Sequence, residues 1–227
     1  MSETVDRDPD RPPLDPKPPR IAGLPLDARG YPVPWFVDWI TDAAGVRVPE
    51  FRALDPQKWR AAVRLRLCWV CGQSLGHYLA FPIGPMCAIN RVTSEPPAHR
   101  DCAEWSIRNC PFLSNPRMVR RTDGLPDDAA AIGGIAIQRN PGVICLWITR
   151  SFEVVSDARG GRLIVVGEPI EVTWWREGRA ATRADVDAAV DGGMPILLET
   201  ARTEGPFAVE ALGKMAARAA RWYPAVS

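Results

Sequence analysis

Cys68-Trp69-Val70-Cys71-Gly72 and, further along, His99-Arg100-Asp101-Cys102 are the stretches whose reading decides the fold. They bound a segment, residues 68–110, that holds five of the six cysteines and both histidines. A C-x-x-C pair followed by an H-x-x-C pair offers soft and borderline donors in two clips. Tetrahedral Zn²⁺ takes such a set, with Zn–S of about 2.3 Å and Zn–N of about 2.0 Å. Cys68, Cys71, His99 and Cys102 are the expected ligands, and Cys110 and Cys87 are alternative ones. Three thiolates and a neutral imidazole leave no open coordination position, so the expected zinc is structural rather than catalytic. A four-cysteine iron–sulfur cluster is the competing reading, disfavoured because no second C-x-x-C is present. A thioredoxin-type redox pair would need a helix directly after the motif, where Gly72 and a strand-like run stand instead.

Upstream, residues 35–40 and 48–54 have the aromatic and β-branched content of a hairpin around the turn 42–45. Asp55-Pro56 then supplies an N-cap and a first-turn proline for a basic helix reaching Leu67. Between the two clips, residues 77–83 and 87–92 flank Gly84-Pro85 and read as a second hairpin. Ser94-Glu95-Pro96-Pro97 signals the start of a helix whose first turn carries His99 and Cys102 on one face.

A knuckle, a hairpin and a ligand-bearing helix resemble a treble-clef zinc finger over about 45 of the 227 residues. The wording CWVCG, GPMCAINR and HRDCAEW is also similar to an uncharacterised family of bacterial and prophage-encoded proteins. That resemblance implies a mobile-element context but no mechanism. His77, Asn90 and His99 follow the knuckle in the order of a His-Asn-His nuclease, which resemblance would make His77 a general base beside a divalent metal. The pattern departs from that family where His99 is claimed by zinc and where Ala103 stands in place of a histidine after Cys102.

Outside this segment, residues 1–22 carry many prolines and charges and read as a disordered tail. Residues 23–121 form the expected zinc module, and 122–142 an irregular linker. Residues 143–227 should hold an antiparallel meander of about four strands (143–148, 152–155, 163–166, 170–175) followed by helices. Thr182 opens the first helix with a capping box, Gly192-Gly193 should end it, and helices over 195–204 and 206–222 should follow. The expected class is α+β, and Cys145 reads as a small buried hydrophobe.

The net charge of +1 hides an uneven distribution. From Arg52 to Arg121 there are 11 basic residues against 4 acids, +7, which leaves −6 for the remainder. Such a basic module suits an anionic partner, nucleic acid first and a protein second. Lys58, Arg60, Arg64, Arg66, Arg100 and Arg108 are the expected phosphate-facing residues. Trp69, Trp174 and Trp175 are candidates for stacking on bases, although most of the nine tryptophans must serve as core. No apolar run is long enough to span a membrane and no secretory leader is evident, so a cytoplasmic protein is expected. Fingerprints for serine hydrolysis, nucleotide hydrolysis and dinucleotide binding are missing, and no small-molecule substrate is suggested.

Overall fold

The computed structural model describes residues 13–115, 117–119, 140–157 and 160–226. In chain order the elements are α1 (Pro19–Ala22), β1 (Val37–Thr41), β2 (Arg47–Leu54), α2 (Pro56–Leu65), β3 (Leu79–Ile83), α3 (Pro85–Asn90), β4 (Val92–Thr93) and α4 (Arg100–Asn109). They continue with α5 (Pro111–Ser114), β5 (Ile144–Thr149), β6 (Phe152–Ser156), β7 (Arg162–Val166), β8 (Pro169–Arg176), β9 (Arg179–Ala180), α6 (Arg183–Glu204) and α7 (Pro206–Ala219). The chain is thus mixed α and β, with small antiparallel sheets and C-terminal helices. No helix among the described residues is long and apolar enough to cross a membrane.

Strand β5 explains the layering. All six of its residues are buried, so its side chains serve two cores by simple alternation. Ile144, Leu146 and Ile148 join Ala80, Trp105, Ile107 and the knuckle residue Val70 on one face. Cys145 and Trp147 join Leu79, Phe81, Ile164, Val166 and Val186 on the other. Cys145 is indeed a buried hydrophobe. The strand pairs with β3 on one side and β8 on the other, giving the sheet order β3-β5-β8-β9.

The expected meander does not form. The β6–β7 hairpin leaves this sheet and joins β4 in a second one, ordered β4-β7-β6. The crossover is a tight corner where Gly167 N–H donates to Ser151 O at 3.0 Å and Thr149 Oγ1 to Glu168 O at 2.7 Å. A Cβ on Gly167 would lie 2.5 Å from Ser151 O, a backbone contact that no rotamer can relieve. Strand pairing therefore links residues 79–93 with residues 144–166 directly. The linker expected over 122–142 lies outside the described residues as far as residue 139.

Three further expectations are corrected. The hairpin over 77–92 is absent: Gly84-Pro85 begins α3, with proline at a position that needs no N–H donor, and β3 finds its partner in β5 instead. Helix α6 runs unbroken through Gly192, Gly193 and Pro195. Its Met194, Leu197, Leu198 and Ala201 pack with Met86 and Ile89 of α3 and Leu212 of α7, and this burial outweighs poor local propensity. The apolar stripe of α7 meets these same helices. Finally, residues 13–22, placed by composition in a disordered tail, are anchored. Ile21 is fully buried, Asp15 N–H donates to Asn109 Oδ1 at 2.8 Å, and Trp105 Nε1 donates to Asp15 O at 3.2 Å. Residues 1–12 lie outside the described residues.

The capping box is present in both directions, Asp185 N–H to Thr182 Oγ1 and Thr182 N–H to Asp185 Oδ2. Asp55 caps α2 through Gln57 N–H at 2.8 Å, as its sequence position implied.

Gly167→Ala should destabilise the protein by about 1–3 kcal/mol in urea unfolding, because the corner must open. Gly192→Ala, where a Cβ meets open space on a helix, should stabilise by about 0.5–1 kcal/mol.

Candidate metal centre

The two clips are brought together by backbone pairing. After α2 the knuckle closes on itself, with Cys68 N–H donating to Gln73 O at 2.7 Å and Gly72 N–H to Cys68 O at 2.8 Å. The edge of β3 then pairs with Ala98 through two bonds, at 3.0 and 2.8 Å, and Trp69 N–H donates to Pro97 O at 3.0 Å. His99 is thereby delivered to the knuckle as the residue preceding α4, and Cys102 follows in the first turn.

Cys68, Cys71, His99 and Cys102 present donor atoms that all lie within 4.8 Å of one another. A tetrahedron with Zn–S of about 2.3 Å has S···S edges of about 3.8 Å, so a small contraction would close the cluster on an ion. Cys71 Sγ is 3.5 Å and Cys102 Sγ 4.0 Å from His99 Nδ1. The other imidazole nitrogen, Nε2, lies 3.0 Å from Ser74 O and donates to it when neutral, which leaves Nδ1 as the lone-pair donor facing the sulfurs. The cluster can hold a metal ion.

Its electrostatics favour a cation. Cys68 and Cys102 are wholly buried and Cys71 nearly so. Hydrogen bonding from Cys102 and then Cys68 holds the Cys71 thiol down at about 2. The Cys102 thiol is driven far up by its bonds to Cys68 and Cys71 and by burial. Cys68 is lowered by its bond to Cys102, yet the bond to Cys71 and burial carry it up to about 11. Sulfurs this close and this buried raise the cost of ionising one another, a cost that a positive ion among them would offset. Backbone N–H groups of Cys71 and His99 also reach Cys68 Sγ, at 3.5 and 3.4 Å, and would stabilise a thiolate there.

The alternative ligands are elsewhere. Cys110 is at the junction of α4 and α5, and Cys87 in α3 packs against the second core. Burial raises both thiols. Among the described residues no hydrogen bond joins His77, Asn90 and His99. His77 is exposed with its ring edge-on to Tyr78, Asn90 Oδ1 accepts from Val92 N–H at 2.9 Å, and both ring nitrogens of His99 face partners.

Of the six expected phosphate-facing residues, three are engaged within the protein. Arg108 pairs with Asp15 at 3.1 Å, Arg100 with Glu171 and Glu104, and Lys58 Nζ donates to Val37 O at 3.0 Å. Arg60, Arg64 and Arg66 are exposed and make no ion pair among the described residues. Trp69 and Trp174 are core side chains, and Trp175 is half-buried below Arg108. Sequence reasoning missed Ser74, whose carbonyl sets the histidine tautomer, since a backbone acceptor leaves no sequence signal. It also missed the packing of Leu14, Ile21 and Leu24, isolated apolar residues among prolines.

Trp35 and Phe36 tie the β1–β2 hairpin to the knuckle. Trp35 N–H donates to Val70 O at 2.7 Å, and Phe36 stacks on Trp69 with centroids 4.8 Å apart and planes 9° from parallel. Trp69 Nε1 is buried without a hydrogen-bond partner among the described residues, a cost that stacking and burial must offset.

No family model, no curated protein and no solved structure matches this chain.

Gly72 has φ +72°, and a Cβ there would lie 2.7 Å from Trp35 Cγ. Gly72→Ala should lower the thermal midpoint by several degrees, through about 1–2 kcal/mol of backbone strain and the displaced indole. Differential scanning calorimetry reads the shift.

Proposed function

We propose that this protein is a zinc-stabilised binding protein in which the metal is architectural and a basic surface beside it engages nucleic acid. The observation that carries the first half is the set of three buried sulfurs and a half-buried imidazole whose donor atoms lie within 4.8 Å of one another. Sulfur and imidazole donors select a borderline-soft ion, and four protein ligands leave no site for substrate. When bound, zinc would supply folding free energy by joining the knuckle to α4. Cys68, Cys71, His99 through Nδ1, and Cys102 would hold it. Three thiolates and Zn²⁺ leave one net negative charge. Arg20 pairs with Asp101 at 2.8 Å, and its guanidinium pKa is raised by that carboxylate first and by Cys102 and Cys71 after it. A knuckle and a helix carrying the second ligand pair are shared with treble-clef fingers, although α3 occupies the place of their hairpin. The prophage context and a cytoplasmic location belong to the same reading.

Support for the nucleic-acid half comes from Arg60 and Arg64 on α2 and Arg66 at its C-cap, all exposed and without an ion pair among the described residues. A nuclease built on His77, Asn90 and His99 gains no support from the geometry, because a histidine bound to zinc and to Ser74 has no face left for a second metal.

Elemental analysis should find about one zinc per chain, and a strong chelator should lower the unfolding midpoint. Cys68→Ser or Cys102→Ser should lose the metal, whereas Cys87→Ala and Cys110→Ala should keep it. Iron in place of zinc, or metal retained by Cys102→Ser, overturns the assignment.

A further inference from the structure

A cleft of about 1230 Å³ opens between α2 and the β6–β7 hairpin, with none of Cys68, Cys71, His99 and Cys102 in its lining. Clefts for small molecules measure about 300–1,000 Å³, so this one suits a short length of polymer. Lys58, Arg60 and Arg64 line one wall and Arg162 the opposite one, which makes four cations against one carboxylate, Asp55, among the described residues of the lining. Asp55 is already occupied as the cap of α2 and lies 3.7 Å from Lys58 Nζ. Arg60, Arg64 and Arg162 are exposed and make no ion pair among the described residues. Two indoles, Trp35 and Trp59, also line the cleft. Neither is loose: Trp59 Nε1 donates to Ser94 O at 2.7 Å, and Trp35 rests on Gly72 of the knuckle.

We infer that this cleft binds single-stranded nucleic acid, with phosphates on the arginines and bases against the indoles. The inference rests on the nucleic-acid reading above and assigns its site. Arg60 and Arg64 are one helical turn apart, about 6 Å along the axis, a spacing that suits successive phosphates of one strand. Held aromatic surfaces beside a cationic wall are what sequence-tolerant single-strand binding uses, because every base has a face to stack. A duplex keeps its bases stacked inward and would gain only the charges. An acidic peptide would match the cations but leave the indoles unused. Arg162 comes from the C-terminal half of the chain, so the site requires both halves of the fold. Trp35 ties its wall to the knuckle, so the cleft depends on the metal-bound loop without using the metal in binding.

The test is fluorescence anisotropy of a labelled twelve-residue oligothymidylate with the full chain, beside a duplex of equal length and polyglutamate as competitor. Oligothymidylate should bind, quench tryptophan fluorescence, and weaken with salt at a slope near −0.7 per phosphate neutralised. Arg60→Ala/Arg64→Ala/Arg162→Ala should weaken binding at least tenfold and flatten the salt slope by about 2. Trp59→Phe should weaken it several-fold with the slope unchanged, and Arg202→Ala, on α6, should bind as the parent does. Unchanged zinc content in each variant confirms an intact knuckle. Binding that survives the triple substitution overturns the cleft while leaving the nucleic-acid reading standing. No binding to any nucleic acid at low salt overturns both. Preference for the duplex, or displacement by polyglutamate at equal charge, overturns the single-strand assignment.

Discussion

The burial of β5 on both faces is the constraint on which the rest of the structure depends. A strand with no exposed residue must be covered twice, and the chain covers it with α4 and the cysteine knuckle on one side and with β7 and α6 on the other. Its edges are closed by β3 from before the knuckle's second clip and by β8 from after the hairpin. The cluster of three cysteines and His99 is therefore no appendage. It lies against one face of the central sheet, and its ligand helix contributes Trp105 and Ile107 to the same core.

This arrangement accounts for the division of labour among the basic residues. Those on or beside the central sheet, Arg100 and Arg108, are absorbed by Glu171 and Asp15. Arg60 and Arg64 on α2 make no ion pair among the described residues. The charge asymmetry visible in composition thus survives, among the described residues, as exposed cations without an ion pair on α2.

The knuckle joins these two features. Its Gly72 receives Trp35, its Trp69 receives Phe36, and its second cysteine faces His99. One tight loop consequently positions the β1–β2 hairpin, the ligand helix and one wall of the cationic cleft. A structural ion at that point would act on function through shape, by holding surfaces that themselves touch no metal.

The sequence by itself determined what depends on near neighbours. The C-x-x-C and H-x-x-C spacings named the four clustered donors, Asp55-Pro56 and Thr182 named two helix starts, and the alternating or fully apolar runs named β5 to β8. Only the tertiary structure decided which strands pair, that Gly84-Pro85 begins a helix, and that α6 continues past Gly192 and Pro195. Each of these turns on burial against residues far away in the chain: β3 against β5, and α3 against α6 and α7. Arg162 of the cleft and Ser74 behind His99 belong to the same class, since their roles come from what the fold sets beside them. Residue type and spacing encode short-range chemistry, whereas long-range pairing is chosen by the total apolar surface the whole chain can cover at once.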